Sequence, residues 1–320
     1  MNNANGEKIR IGISQCLLGD KVRFDGNHKH DRYITETLGQ FFEFIPVCPE
    51  VAIGLGVPRE PIRLEGEVAA PRAVGVRDKS IDATDRLLRY GRQVARDLGD
   101  ISGYILKSKS PSCGMERVKV YHPGGGGSDS KGIGLFVKGF RERQTLVPME
   151  EEGRLCDPVL RENFIERVFA YHRWRELTAM RLTPARLVQF HTEHKLSLMA
   201  HGAEPLKQLG RIVAAAGTRP LREVSEEYVA GFMATLQKRA TRRRHTNVLQ
   251  HLAGYLKKQL DSGDKAELAE VIEEYRLGRV PLVVPLTLFK HHFRRHPDPY
   301  IEQQIYLNPH PKELMLRNAL

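Results

Sequence analysis

The sequence predicts an α/β domain with a mainly parallel sheet, followed by an all-α domain. Two patterns lead to this fold class: short apolar runs alternate with helical stretches in the first half, and proline-marked helix starts dominate the second half. The chain has 320 residues, and because a typical domain has roughly 100 to 200 residues, two domains are expected. We place them at residues 1–152 and 153–320, since an acidic run, Gly153 and Pro158 mark a break between the two patterns.

Short apolar runs predict the strands of the first domain. Three of them have the length and the apolar content of buried strands: residues 9–13, 44–47 and 103–106. Residues 81–98 carry apolar side chains at helical spacing, and residues 133–137 form a last apolar run. The glycines at 124–127 predict a flexible connection. They are not a phosphate loop, because that pattern needs Gly-Lys-Ser/Thr and Lys131 is followed by Gly132.

Cysteine residues follow all three predicted strands. Cys16 comes soon after the first strand, Cys48 directly follows the second, and Cys113 follows the third after a Ser-Pro-Ser turn. In open parallel sheets ligands gather outside the carboxyl ends of the strands, so these three thiols are expected to converge. The remaining Cys156 lies near the domain boundary and is interpreted as structural. Four scattered cysteines do not form a secreted disulfide framework, which favours reduced thiols in a cytosol.

Helix-start signals recur in the second half. Asp157 with Pro158, and Thr183 with Pro184, each join an N-cap residue to a first-turn proline, so a helix is predicted to begin at each pair. Ser225 is predicted to cap a further helix. Residues 280–288 mix β-branched residues with two prolines, and this pattern does not decide between helix and strand.

Charge and hydropathy narrow the class of partner. The chain has 50 Lys and Arg against 39 Asp and Glu, a net charge of +11 and a pI near 9.5, which favours polyanionic partners. No run approaches the ~18 consecutive apolar residues of a membrane helix. We therefore expect a soluble cytoplasmic protein.

The basic excess is concentrated in the second half, which predicts an RNA-binding surface there. Residues 151–320 hold 27 Lys and Arg against 20 Asp and Glu, and residues 1–150 hold 23 against 19. We define the basic segment as Lys238, Arg239, Arg242, Arg243 and Arg244. Phosphate contacts of such a segment release counterions and give sequence-independent affinity. The alternative is a solvated helix face, which is the usual explanation of an isolated charge run.

Three passages of the first domain carry a family resemblance. They are Ser14-Gln15-Cys16-Leu17-Leu18-Gly19 with Val22-Arg23-Phe24-Asp25-Gly26, Cys48-Pro49-Glu50 with Gly54-Leu55 and Pro58-Arg59, and Leu106-Lys107 through Ser110-Pro111-Ser112-Cys113-Gly114. Through these passages, which occur in the family's order, roughly residues 8–150 resemble the TudS-type thiouracil desulfurases. The second half, through Phe190-His191, His194-Lys195 and Leu198-Met199-Ala200-His201, is similar to the YbgA-type helical domain. The pairing of the two resembles the RudS-type desulfidases that act on 4-thiouridine in transfer RNA.

The resemblance implies a cofactor and a reaction. Cys16, Cys48 and Cys113 match the ligands of a 4Fe-4S cluster, whose fourth iron stays open to a soft thiocarbonyl sulfur. Glu50 matches the family's acidic residue and is expected to accept a proton from the incoming water. Ser110 matches the family's serine and is expected to hydrogen-bond the pyrimidine or relay a proton. The implied reaction is non-redox: 4-thiouridine in transfer RNA becomes uridine, and hydrogen sulfide leaves.

Other interpretations stay open on the sequence. The enzyme can instead act on free thiouracil or on thiouridine nucleotides, or the chain can be a nucleic-acid-binding iron–sulfur redox sensor. The alternative to proton transfer by Glu50 is a purely structural role, in an ion pair with Arg59. Among the other motif residues, Asp25, Arg59 and Lys107 are interpreted as orienting or folding residues. A zinc site would need a fourth ligand that the sequence does not identify.

Three histidines of the second domain approach one helical face. His191, His194 and His201 are spaced at i, i+3 and i+10, which superficially suggests metal ligands. No helical carboxylate pattern accompanies them. Capping, packing or RNA contact is therefore the favoured interpretation.

Overall fold

The structure, a computed structural model, describes residues 8–318. The chain divides after Cys156 into two compact units, Met1–Cys156 and Asp157–Leu320. The first unit combines parallel strands with helices and the second is mostly helical, so the predicted fold class is confirmed. In the described part of the chain, no helix combines the length and the apolar character that a membrane crossing requires.

A four-stranded parallel sheet forms the centre of the first unit, in the order β2-β1-β5-β8. The register pairs Ile9 with Phe42 and runs without a break to Ser14 and Val47. Strand β1 lies in the interior of the sheet and has isoleucine at every second position, and five of its six residues are buried, as expected for a strand covered on both faces. The strands are β1 (Ile9–Ser14), β2 (Phe42–Val47), β5 (Tyr104–Leu106) and β8 (Met149–Glu151).

Two helices pack together in this unit, α2 (Thr84–Asp97) and α3 (Leu135–Arg141). Their close approach depends on glycine, because a Cβ on Gly91 would lie 2.2 Å from the carbonyl oxygen of Phe136. Helix α3 takes up most of the apolar run at 133–137. A further helix of four residues, α1 (Pro49–Ala52), directly follows Cys48.

A second four-stranded sheet, in the order β4-β3-β6-β7, was not predicted. Its strands are short, and β7 (SDSKG) is polar, so the sequence has no long apolar run that would predict them. The glycines at 124–127 form the turn between β6 and β7, and all four have positive φ, which glycine adopts without strain. The strands are β3 (Ile62–Glu65), β4 (Arg72–Gly75), β6 (Val118–Tyr121) and β7 (Ser128–Gly132).

The second unit is a helical array whose first two helices begin as predicted. The Asp157 carboxylate accepts from two amides at the start of α4, and the Thr183 hydroxyl accepts from the amide of Arg186 at the start of α5. The Ser225 prediction is wrong: α7 begins four residues earlier, and the Ser225 hydroxyl donates within the helix to the carbonyl of Arg222. The undecided stretch at 280–288 leads into helix α10. The helices are α4 (Pro158–Ala179), α5 (Pro184–His201), α6 (Ala203–Ala214), α7 (Leu221–Gln237), α8 (Arg242–Leu256), α9 (Ser262–Arg276), α10 (Val283–Arg295) and α11 (Pro299–Glu302).

Aromatic side chains form part of the core of this unit. Trp174, Phe190, Tyr228 and Phe232 contact one another, with ring centroids 5.3 to 6.2 Å apart. The His194 ring packs against the Phe190 ring, and its Nδ1–H donates to the Phe190 carbonyl at 2.7 Å. The array is therefore held by apolar contacts that enclose neutral imidazoles.

We expect acid to destabilise the helical unit through these buried imidazoles. Burial lowers the pKa of His194 and that of His245 to about 3, from an ordinary value of 6.5. Below about pH 6.5 these histidines are protonated in the unfolded chain but stay neutral in the folded unit. Each of them therefore lowers the free energy of unfolding by about 1.4 kcal/mol for every unit of pH, down to its pKa in the folded unit. Thermal melts of the full chain, followed by helical circular dichroism at about pH 7.5 and pH 5, should show a lower Tm at the lower pH. His194→Gln should weaken this pH dependence and the exposed control His251→Gln should not; a Tm that is equal at both pH values contradicts the prediction.

Candidate active site

The three cysteines that follow strands lie at one edge of the parallel sheet. Strands β2, β1 and β5 are neighbours and run in the same direction, so their carboxyl ends meet at the same edge. Cys48 follows β2 directly and is the residue before α1, Cys16 lies in a 3₁₀ turn after β1, and Cys113 lies in the loop after β5. The topology thus brings together residues that are up to 97 positions apart in the sequence.

These three cysteines line one cavity of about 360 Å³, here called the cysteine cavity. Cys16 and Cys113 are buried, and Cys48 is partly exposed. The predicted residues Glu50 and Ser110 line the same cavity. Its other lining residues are Ser14, Gln15, Val22, Arg23, Phe24, Lys29, Val47, Pro49, Arg59, Pro61, Ile62, Lys107, Ser108, Lys109 and Pro111.

Burial in this cavity disfavours the deprotonated form of all three cysteines unless a cation binds their sulfurs. Burial, and then the negative charge of a Cys48 thiolate, raises the pKa of Cys16 to about 11. Burial also raises the pKa of Cys48, and it raises that of Cys113 well above the ordinary value. Iron bound by these sulfurs would remove this penalty, because it would replace the thiol protons and offset the repulsion between thiolates.

The donor set fits an iron–sulfur cluster better than a single metal ion. Among the described residues, no three His, Cys, Asp or Glu side chains are arranged to hold one metal ion. In a cluster each iron takes its own cysteine, so the sulfurs need not meet at one point. Soft thiolates without histidine or carboxylate partners at the same metal are the ligands that such clusters use.

Glu50 is held from two sides at the edge of this cavity. Its Oε2 accepts from Nε and Nη2 of Arg59 at 2.9 and 2.8 Å, and its Oε1 accepts from the Ser112 hydroxyl at 2.8 Å. The Glu50 side chain is 14% exposed and Arg59 5%. The ion pair considered in the sequence analysis is therefore present, and the same carboxylate also lines the cysteine cavity. Ser112 connects the Cys113 loop to the helix that follows Cys48.

The loop that presents Cys113 is organised by Ser110. Its hydroxyl oxygen accepts from the amides of Ser112 and Cys113 at 3.2 and 3.0 Å, and its carbonyl accepts from the amide of Gly114. A hydroxyl that accepts two such bonds still has its own proton to donate. Ser110 is thus a loop-forming residue that can also contact a ligand in the cavity.

Cations predominate among the charged residues of the cavity. Of the described lining residues, Glu50 is the one carboxylate, whereas five carry positive charge: Arg23, Lys29, Arg59, Lys107 and Lys109. Arg59 is neutralised by Glu50, and Lys107 is paired with Glu152. Lys29 and Lys109 are exposed at this surface. The lining favours an anionic ligand.

The structure places most of the basic segment on the surface of the second unit. Lys238, Arg239, Arg243 and Arg244 are exposed. Arg242 differs, because its Nη1 donates to the carbonyl of Tyr275 at 2.6 Å and its guanidinium lies over the Tyr275 ring. Its side chain is therefore used in packing. The three arginines occupy the first turn of α8, where the helix dipole is already positive and no acidic residue offsets them.

The three histidines of α5 are buried in separate contacts. His191 lies 3.3 Å from the Tyr228 hydroxyl, and burial lowers its pKa to about 4. His201 pairs with Glu166 at 3.1 Å and also contacts the carbonyl of Lys238. These contacts place all three histidines in the packing of the helical unit. Cys156 is a free, exposed thiol that does not line the cysteine cavity.

Comparison with known proteins assigns a family to each half of the chain. Residues 11–152 match the model of a family described as 2-thiouracil desulfurase, and residues 195–311 match one described as a protein of unknown function, DUF1722. The uncharacterized protein YbgA of Escherichia coli (strain K12) is 33% identical over 154 residues, which are 48% of this chain and 91% of YbgA. The chain belongs to the YbgA family through its second half, and its first half matches the 2-thiouracil desulfurase model. The resemblance of the two halves to TudS-type and YbgA-type proteins is confirmed.

Two further proteins are similar to the desulfurase half. The uncharacterized protein YbbK of Bacillus subtilis (strain 168) is 26% identical over 115 residues, which are 32% of this chain and 72% of YbbK. The solved structure of the [4Fe-4S]-dependent thiouracil desulfidase TudS is 29% identical, covers 47% of this chain and 95% of its own, and superposes with a TM-score of 0.36.

Sequence reasoning missed several contacts of the desulfurase domain. Ser112 was only part of a quoted motif, yet its hydroxyl binds Glu50. Glu152 was used as a sign of a domain boundary, yet its carboxylate accepts from the amide and hydroxyl of Ser108 at 2.7 and 2.8 Å and pairs with Lys107. The signal that could have found Glu152 is topological: it directly follows β8, so it lies at the same sheet edge as the cysteines.

Proposed function

We propose that the protein removes the sulfur of 4-thiouridine in transfer RNA, using a 4Fe-4S cluster held by Cys16, Cys48 and Cys113 with one open iron. The observation that carries this proposal is the convergence of three cysteines and Glu50 on one cavity. The match to the 2-thiouracil desulfurase family supports a thiolated uracil as the reacting group. The net reaction replaces C=S by C=O: one water is consumed and one hydrogen sulfide is released, without net oxidation or reduction.

The residues of the cavity have distinct roles in this proposal. When bound, the cluster supplies a Lewis-acidic iron that makes the thiocarbonyl carbon electrophilic. Glu50 accepts a proton from the attacking water at a carboxylate oxygen, and Ser112 and Arg59 fix the direction of that carboxylate. Ser110 donates a hydrogen bond from its hydroxyl group to the pyrimidine. Burial of Cys16 and Cys113 keeps bulk water from the ligands.

The charge distribution favours a phosphate-bearing substrate over a free base. Lys29 and Lys109 are exposed beside the cysteine cavity, and four exposed cations of the basic segment lie in the second unit. A first turn rich in arginine does not stabilise its own helix, since its charges oppose the dipole, but it attracts phosphate. Acting on a base in folded RNA also requires extruding it, at a cost of a few kcal/mol that backbone contacts offset.

The test is an anaerobic turnover assay. The protein is reconstituted with iron and sulfide and incubated with 4-thiouridine-containing transfer RNA, with a thiouridine nucleotide or with free thiouracil. Digestion of the RNA then quantifies 4-thiouridine, uridine and sulfide. We expect multiple turnovers and equal uridine and sulfide, fastest on transfer RNA. Faster turnover of the free base would contradict the RNA assignment, and absence of all turnover at full cluster loading would favour the redox-sensor alternative.

Neutralising the basic segment should weaken RNA binding and lower its salt dependence. The variant replaces Lys238, Arg239, Arg243 and Arg244 by Gln and leaves Arg242, whose side chain supports the fold. Each lost phosphate contact should reduce the slope of log affinity against log salt by roughly 0.7 to 0.9. Filter binding of transfer RNA over a salt series measures this slope.

A matched control neutralises four exposed cations elsewhere on the same unit: Lys207, Arg211, Lys265 and Lys312. The control should keep the wild-type slope. Equal slopes in both variants, with the helical circular dichroism intact, would remove the basic segment from the RNA-binding surface.

A further inference from the structure

Phe24 is an aromatic side chain that is exposed at the cysteine cavity. It lines the cysteine cavity and is 38% exposed. Among the large hydrophobic residues exposed in the described part of the chain, Phe24 is the one aromatic; the others are aliphatic or methionine. Complete burial of such a side chain would stabilise the fold, and this position gives up part of that stabilisation.

The backbone around Phe24 is fixed by Arg59, the arginine that also holds Glu50. The Phe24 carbonyl accepts from the amide of Arg59 at 2.9 Å. Two residues earlier, the Val22 carbonyl accepts from Nη1 of Arg59 at 2.9 Å and contacts the Cys48 sulfur at 3.7 Å. The segment that contains Phe24 therefore bonds to Arg59, the partner of Glu50, and contacts Cys48.

A cation accompanies the ring. The Arg23 guanidinium lies 5.4 Å from the centroid of the Phe24 ring. Its Nε is buried without a hydrogen-bond partner in the described structure, and the Asp25 carboxylate lies 3.6 Å away. An exposed aromatic side chain combined with neighbouring cations is the arrangement by which proteins bind single unpaired nucleobases.

We propose that Phe24 is the stacking surface for the pyrimidine ring in the cysteine cavity, so that the site selects planar nucleobases presented out of a base stack. This inference rests on the proposed function, because it names the residue that receives the thiolated base. Stacking tolerates either oxo or thio substituents, since every base offers a π-face, and it orients the ring without using the polar groups that Glu50 and Ser110 supply.

The test compares Phe24→Ala, Phe24→Leu and Phe24→Tyr in the cluster-loaded enzyme. Loss of one stacked base corresponds to about a 5- to 150-fold weaker affinity, from ~1–3 kcal/mol at about 1.4 kcal/mol per tenfold change. We expect this loss for Phe24→Ala, measured as binding of uridine 5′-monophosphate by calorimetry, and a matching rise in KM with kcat nearly unchanged. Phe24→Tyr should restore the affinity, whereas Phe24→Leu, which is apolar but not aromatic, should not.

The control Val76→Ala removes a side chain of similar exposure, 39%, that does not line the cavity, and it should bind as the wild type does. Equal affinity in Phe24→Ala and wild type, or a loss that Phe24→Tyr shares, would overturn the stacking role. Failure of the proposed function would give a different result. The cluster-loaded wild-type protein would bind the nucleotide and Phe24→Ala would not, but the wild type would convert no thiolated substrate.

Discussion

Cys113→Ala should abolish both the iron–sulfur cluster and desulfidation. Cys113 is buried at the carboxyl end of the central sheet, and alanine leaves an apolar methyl group where the cluster needs a thiolate. With only Cys16 and Cys48 remaining, a second iron would lose its protein ligand. Anaerobic reconstitution followed by iron and sulfide analysis should find no stable cluster, and turnover of thiolated RNA should fall below detection.

Cys156→Ala is the matched control for this prediction. Cys156 is a free and exposed thiol, it does not line the cysteine cavity, and its replacement should leave iron content and turnover as in the wild type. Cys113→Ala protein that keeps a full cluster and full activity would refute the proposed ligand set. Thermal melts of both variants separate loss of the cluster from loss of the fold.

The convergence of the cysteines could be predicted because it follows from topology. Strands of a parallel sheet end at the same edge, so a cysteine after each of three such strands reaches that edge whatever the distance in sequence. The β2-β1-β5 order makes the three strands neighbours, which the sequence alone did not establish. Helix starts at Asp157 and Thr183 were equally predictable, because a cap and a first-turn proline act within four residues.

The missed features depend on contacts between distant residues. The Ser112 hydroxyl and Glu50 are 62 positions apart, and Ser108 and Glu152 are 44 apart. Nothing local distinguishes these polar side chains from solvated ones. The second sheet was not predicted for a related reason, since strands of four or five residues gain their stability from cross-strand pairs rather than from an apolar run of their own.

The Ser225 prediction failed because a serine hydroxyl can bond inside a helix as well as at its start. Serine is favoured at a helix N-cap, but its hydroxyl can also bond to a carbonyl one turn back inside a helix, and here it donates to Arg222. Helix α7 instead begins at Leu221 after Pro220. A proline just before a helix was therefore the stronger start signal in this segment.

Glu50→Gln should lower turnover by about 10² to 10⁴-fold while the cluster is retained. Glutamine keeps the size of the side chain and an oxygen for the Ser112 hydroxyl, but it cannot accept a proton from water at neutral pH. If the carboxylate served only in the ion pair with Arg59, the same change would lower the free energy of unfolding and leave turnover largely intact. Iron content, kcat and Tm measured on one preparation therefore separate the two roles.

Glu60→Gln provides a closely matched comparison for Glu50→Gln. Glu60 is also paired with an arginine, Arg77, and its side chain is 15% exposed against 14% for Glu50, yet it does not line the cysteine cavity. Both variants therefore lose a glutamate–arginine pair at equal carboxylate exposure, although the Arg77 side chain is 83% exposed and that of Arg59 5%. Of the two carboxylates, Glu50 alone lines the cysteine cavity. A large fall in kcat confined to Glu50→Gln assigns proton transfer to that carboxylate; an equal effect of both changes would reduce Glu50 to a structural residue.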